Sequence, residues 1–162
     1  MAKIVKRSAR VILLDGDELV LIKRGRPGNA PYWVTAGGGV EESDRNVESA
    51  LHREVFEELG ATIMAPQLVL LITDTAESGI GVQHIFVARL KTMDLGVRTG
   101  TEFAKPERGS YEVVRIPFTA AAVRSIALMP PTLGEYIIAN IDGLASVADE
   151  PREPRPSPTT PP

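Results

Sequence analysis

Two hydrophobic periods alternate along this chain. Period-two and continuous apolar runs come first. Ala9-Arg10-Val11-Ile12-Leu13-Leu14 and Leu19-Val20-Leu21-Ile22-Lys23 flank Asp15-Gly16-Asp17, a pattern that predicts a β-hairpin. A Gly- and Pro-rich loop from Arg24 to Pro31 follows, then a short strand, Tyr32 to Thr35, leading into Gly37-Gly38-Gly39. The period then changes to 3.6. Val47, Ala50, Leu51, Val55 and Leu59 make one apolar stripe, which predicts a helix from Arg45 to Leu59 docked on a sheet. Asp44 or Ser43 is its expected N-cap, and Gly60 its stop. Further strands are expected at Gln67–Asp74, Val82–Leu90 and Tyr111–Ile116. Helices are expected at Thr119–Ala127 and Thr132–Ile141, separated by Met129-Pro130-Pro131. The reading is a mixed α/β domain.

Composition shifts near Ala148. From Asp149 to Pro162 the chain is rich in proline with scattered charge and has nothing apolar to bury. The expectation is one domain over 1–147 and an extended tail over 148–162, with polyproline II character at most. Truncation after Ser146 is accordingly expected to leave stability unchanged.

The chemistry gathers at the end of the first helix. In Arg53-Glu54-Val55-Phe56-Glu57-Glu58-Leu59-Gly60, the three glutamates share an arc of about 100°. They sit at the end where the helix dipole is negative, which costs each roughly 0.3–1 kcal/mol, and like charge at i, i+4 adds a few tenths. Arg53, one turn before Glu57, offsets part of this. A divalent cation would resolve the conflict, because carboxylate oxygens are the hard ligands that Mg2+ and Mn2+ prefer.

The run from Gly38 to Ala61 resembles the Nudix box, G-x5-E-x7-R-E-U-x-E-E-x-G-U with U a bulky apolar residue. Its second half matches from Arg53 through Gly60, with the small Ala61 in the last U position. Its first half departs: Asp44 stands where glutamate is specified, and eight residues rather than seven separate Asp44 from Arg53. Ala36 stands where a proline often precedes the glycines. The resemblance implies an α/β/α sandwich with a mixed central sheet, and metal-dependent hydrolysis of a nucleoside diphosphate linked to another group. It assigns metal binding to Glu54, Glu57, Glu58 and the Gly37 carbonyl, offers Glu54 as candidate base, and gives Arg53 an orienting role. Gly38 and Gly39 are expected to let main chain approach the phosphates, and Arg24 occupies a position that meets substrate. A fourth carboxylate from outside the box is expected to join the metal. Glu112 at a strand start is the first candidate, with Glu102 and Glu107 as competitors.

The remaining features narrow this picture. Trp33 is expected to pack beside the glycine loop, His84 to hydrogen-bond within the sheet, and His52 to lie on the helix surface. The chain of 162 residues carries a net charge of −3, which gives no basis for binding long nucleic acids. Apolar residues at 43% and charged residues at 24% are ordinary for a soluble domain. There is no cysteine, which excludes disulfides, thiolate chemistry and an isopentenyl-diphosphate-isomerase-like reaction on the same fold. No basic surface suits mRNA decapping. Neither a signal-peptide core nor a ~20-residue apolar span is present, so a cytoplasmic enzyme with a small nucleotide-type substrate is expected. A homodimer is compatible with the sequence, although no motif encodes oligomeric state. The alternative class is a Nudix-fold sensor that binds a nucleotide without cleaving it. Such a protein would be expected to lack box glutamates, and Glu54, Glu57 and Glu58 are all present.

Overall fold

The computed structural model, which describes residues 2–100 and 106–151, places a mixed sheet between helices on both faces. The order is β1 (Ile4–Asp15), β2 (Glu18–Gly25), β3 (Tyr32–Val34), β4 (Ala36–Gly39), α1 (Val47–Leu59), β5 (Ala61–Ala76), β6 (Gly79–Met93), β7 (Ser110–Pro117), α2 (Ala120–Arg124), α3 (Pro131–Ala139) and α4 (Ile141–Asp149). This is the α/β/α sandwich expected. Alternation along β1 explains the layering. Ala9, Val11 and Leu13 are buried with Leu51, Val55 and Leu59 of α1, whereas Ile12 and Leu14 are buried with Leu133, Ile137 and Leu144 of α3 and α4. A strand that buries both sets of side chains needs cover on both sides.

The central path runs β3-β2-β1-β6-β5, with β7 added to β2 and β4 added to β1. β1 and β6 are parallel, and the other pairings are antiparallel. On one side β1 changes partner midway. Leu13 to Asp15 pair with β2, while Ser8 to Val11 pair with the glycine strand β4. The sheet therefore divides, and the division falls beside the glycines.

Several elements differ from the sequence expectation. α1 starts at Val47, and its cap is Asn46, whose Oδ1 accepts the Ser49 N–H at 2.8 Å. Neither Asp44 nor Ser43 takes that place, because the Asp44 carboxylate is turned onto the Glu41 N–H and Arg53. β1 begins five residues before Ala9, and the glycines are themselves a strand. Among the described residues no helix is long and apolar enough to cross a membrane.

The expected boundary at 147/148 falls inside α4. Val147 packs against the second core, Ala148 is buried in it, and Asp149 accepts from Arg89 Nε and Nη2 at 2.8 and 3.0 Å. Residues 152–162 lie outside the described part. The expectation for truncation after Ser146 is thereby reversed. Ending the chain after Ser146 should cost about 1–3 kcal/mol and lower the melting temperature by roughly 3–10 °C, as thermal denaturation would show. A chain ending at Pro151 keeps these contacts and should melt with the full-length protein.

Candidate active site

The site is built around the Arg53 guanidinium. Nε and Nη2 donate to Asp44 Oδ1 and Oδ2 at 2.9 and 2.8 Å, a two-pronged pairing. Nη2 also donates to the Gly39 carbonyl at 2.9 Å. Nη1 reaches Glu54 Oε1 at 3.1 Å and Glu57 Oε2 at 3.2 Å. One side chain thus ties the loop before α1, the glycine strand and two of the three glutamates together. Asp44, whose place in the motif was ambiguous, proves to be Arg53's main partner. The extra residue between them lies ahead of Arg53 and leaves the pairing intact. The Arg53 guanidinium holds the Asp44 pKa down at about 2, and Asp44 in turn raises that of Arg53.

Glu58 is placed differently, with Oε2 accepting the Gly37 N–H at 3.1 Å. Since Gly39 offers its carbonyl to Arg53, Gly37 and Gly39 both direct polar groups to the edge of β4 away from β1. The α1 carboxylates line that edge. Gly38 faces α1, and a Cβ there would lie 2.5 Å from Glu54 Cδ. Gly37 adopts φ +144°, where a side chain would also strike the Ala9 carbonyl. Gly38 lets the helix sit this close, and Gly37 lets the strand sit this close to β1.

The family model of the NUDIX domain matches residues 5–124. The chain belongs to the NUDIX family. Its solved structural relatives include a NUDIX hydrolase from Nitrosomonas europaea, with TM-score 0.64, 17% identity and coverage of 83% of this chain and 86% of that one. A MutT NUDIX hydrolase from Burkholderia pseudomallei gives TM-score 0.58, 20% identity and coverage of 83% and 95%. The E. coli ORF135 protein gives 0.60, 19%, and coverage of 88% and 89%. At these identities the likeness concerns the fold. No curated protein sequence matches the chain.

Other expected site residues lie elsewhere in the NUDIX domain. Glu112 is exposed, and the structure does not bring it to the glutamates. Tyr111 and Val113 pack on the α1 side and Val114 and Ile116 on the other, so strand alternation turns Glu112 away from α1. The expectation of Glu112 as a metal carboxylate is therefore withdrawn. Glu107 lies exposed in the turn Pro106–Arg108, and Glu102 lies outside the described residues. Arg24 is stacked on Tyr111, 3.7 Å from the ring centroid, and donates to the Arg108 carbonyl at 3.0 Å. These contacts tie Arg24 to β7 and to the turn before it. Trp33 packs against the second core with Lys23 Nζ 5.5 Å from its ring centre. His84 meets Arg7 Nη1 at 3.1 Å; burial first and Arg7 second lower its pKa. His52 lies on the outer face of α1, within 3.9 Å of Glu48.

Among the described residues no three acidic or histidine side chains converge into a preformed metal cluster. The donor set nonetheless suits a hard cation: Glu58 meets the glycine strand at Gly37, Glu54 lies so close to Gly38 that any Cβ there would strike it, and Arg53 holds Glu57 beside Glu54.

The Asp44–Arg53 pair has a pH signature. The Asp44 side chain is only 6% exposed, so solvent screens the pair little. Its folded pKa of about 2 lies below the ordinary 3.8, so its stabilisation is complete above about pH 4 and is lost as pH falls toward 2. Asp44→Asn should cost about 1–3 kcal/mol at pH 7 in urea denaturation, with the gap to wild type closing between pH 4 and 2.

Proposed function

We propose that this NUDIX protein hydrolyses a phosphoanhydride bond in a nucleoside diphosphate linked to another group, with Mg2+ or Mn2+ as cofactor. The observation that carries the reading is the cluster of Glu54, Glu57 and Glu58 beside the glycine strand, the first two held by Arg53 and the third by the Gly37 N–H, toward the helix end least suited to negative charge. Structure alone gains little from such a placement. Held by these glutamates with the Gly37 carbonyl, a divalent ion would neutralise the diphosphate and make a bound water more acidic.

The chain's own groups supply the positioning. Arg53 holds Glu54 and Glu57 in register, and the Gly37 N–H holds Glu58. Glu54, packed against Gly38, is the candidate to take a proton from an attacking water. At the edge of β4 the glycines add no side chains of their own, so the diphosphate would meet the α1 side chains and main chain alone.

Activity should vanish in excess EDTA and return with Mg2+ or Mn2+; turnover that persists in EDTA would refute the metal mechanism. Glu57→Gln and Glu58→Gln should each lower kcat by about 100-fold or more. Relief of dipole and like-charge repulsion opposes loss of the Arg53 or Gly37 contact, so both metal-free variants should stay within about 1 kcal/mol of wild type. Variants that melt well below wild type would make the glutamates structural. A protein that binds nucleotides yet turns none over would be a sensor instead.

A further inference from the structure

The face of β1 that carries Ile12 and Leu14 under α3 and α4 changes character toward its N-terminal end. There the same alternation presents Arg10, Ser8 and Lys6. Together with Gln83 and Asp74 they line a cavity of ≈ 160 Å³ that Gly39 closes on one side. The cavity and the glutamates are neighbours. Ser8 lies opposite Gly39 and Arg10 opposite Gly37, and the Gly39 carbonyl is the one bound by Arg53. Gly39 thus links the two, lining the cavity while its carbonyl is held by the guanidinium that also holds Glu54 and Glu57. A Cβ on Gly39 would meet nothing within 4 Å, so there is open space at this glycine.

The lining is not that of a base-binding slot. It contains no aromatic ring, and its volume falls below the about 300–1,000 Å³ that larger ligands occupy. It offers two cations instead. Arg10 spends Nη1 on the Thr35 carbonyl at 2.9 Å, and no carboxylate among the described residues forms an ion pair with Arg10 or Lys6. Beside them, Asp74 accepts from Gln83 Nε2 at 3.3 Å, and Ser8 adds a hydroxyl. Cations next to acceptors and donors of this kind match a ligand bearing both an anionic group and several hydroxyls.

We infer that this cavity receives the group attached to the scissile diphosphate, and that this group is a sugar bearing a carboxylate or a phosphate. The inference rests on the hydrolase reading for the placement of the diphosphate, but the cavity's preference is measurable without turnover.

Two arms test it. Hydrolysis of uridine diphosphate glucuronate and uridine diphosphate glucose, which differ only in one carboxylate, is compared with Mn2+ for wild type, Lys6→Gln and Arg10→Gln. Calorimetry with the same proteins and metal compares glucose 1-phosphate, glucuronate 1-phosphate and glucose 1,6-bisphosphate. We expect at least a 10-fold higher kcat/KM for the glucuronate substrate, a comparable gain in affinity for one of the doubly anionic sugars, and loss of both preferences in each variant. The calorimetric arm tells carboxylate from phosphate. Hydrolysis of both substrates without preference, or a preference that survives both substitutions, overturns the cavity assignment and leaves the hydrolase reading standing. No hydrolysis of either uridine nucleotide, with the binding preference intact and sensitive to Lys6 and Arg10, supports the cavity and counts against the hydrolase reading for these nucleotides. No preference in binding overturns the cavity assignment whatever the hydrolysis result.

Discussion

The Arg53 guanidinium is the constraint on which the site depends. Five carboxylate or carbonyl groups, from Asp44, Gly39, Glu54, Glu57 and, at 3.7 Å, Glu41, surround one side chain that is 23% exposed. The planar fork suits this task, since Asp44 takes one edge and leaves Nη1 to face the helix. A lysine would carry the charge without the geometry. Because Asp44 and Gly39 belong to segments outside α1, the guanidinium that orients Glu54 and Glu57 also docks the helix on the glycine strand.

The second constraint is the width of that strand. β4 is four residues long, three of them glycine, and it separates the carboxylates of α1 from the floor formed by β1. Bulk at Gly38 would push Glu54 away, and bulk at Gly37 would strike β1. Local sequence, sheet division and site geometry are thus one fact seen at three scales. Where β1 leaves β2 and takes up β4, a free strand edge opens, and the polar groups of Gly37 and Gly39 point into it.

Much of this was legible in the chain. The stripe Val47, Ala50, Leu51, Val55 and Leu59 located α1, and the spacing of Arg53, Glu54, Glu57 and Glu58 located the carboxylates. What escaped had physical reasons. Asp44 looked like a cap because aspartate often is one, but a charged partner nine residues on outbid the helix N-terminus and left capping to Asn46. Glu112 was chosen because it enters a strand, whereas the alternation of Val113 and Val114 about the sheet decides its side. α4 was not anticipated, and the domain was ended inside it, because small and polar residues around Ser146 hide a packed turn that Ala148 completes. Lys6, Ser8 and Arg10 drew no attention because a polar alternation near a chain end has no apolar partner to reveal it as a strand.

The central claim is that α1 carries a cation site of hard oxygen ligands at the glycine edge. Electron paramagnetic resonance titration of Mn2+ in the presence of methylenediphosphonate tests it most directly, in wild type and in a variant with Glu54, Glu57 and Glu58 all changed to glutamine. Saturable binding in wild type that is lost in the triple variant, with the variant still folded, is the predicted result. Equal Mn2+ binding by both proteins, or none by wild type, would contradict it.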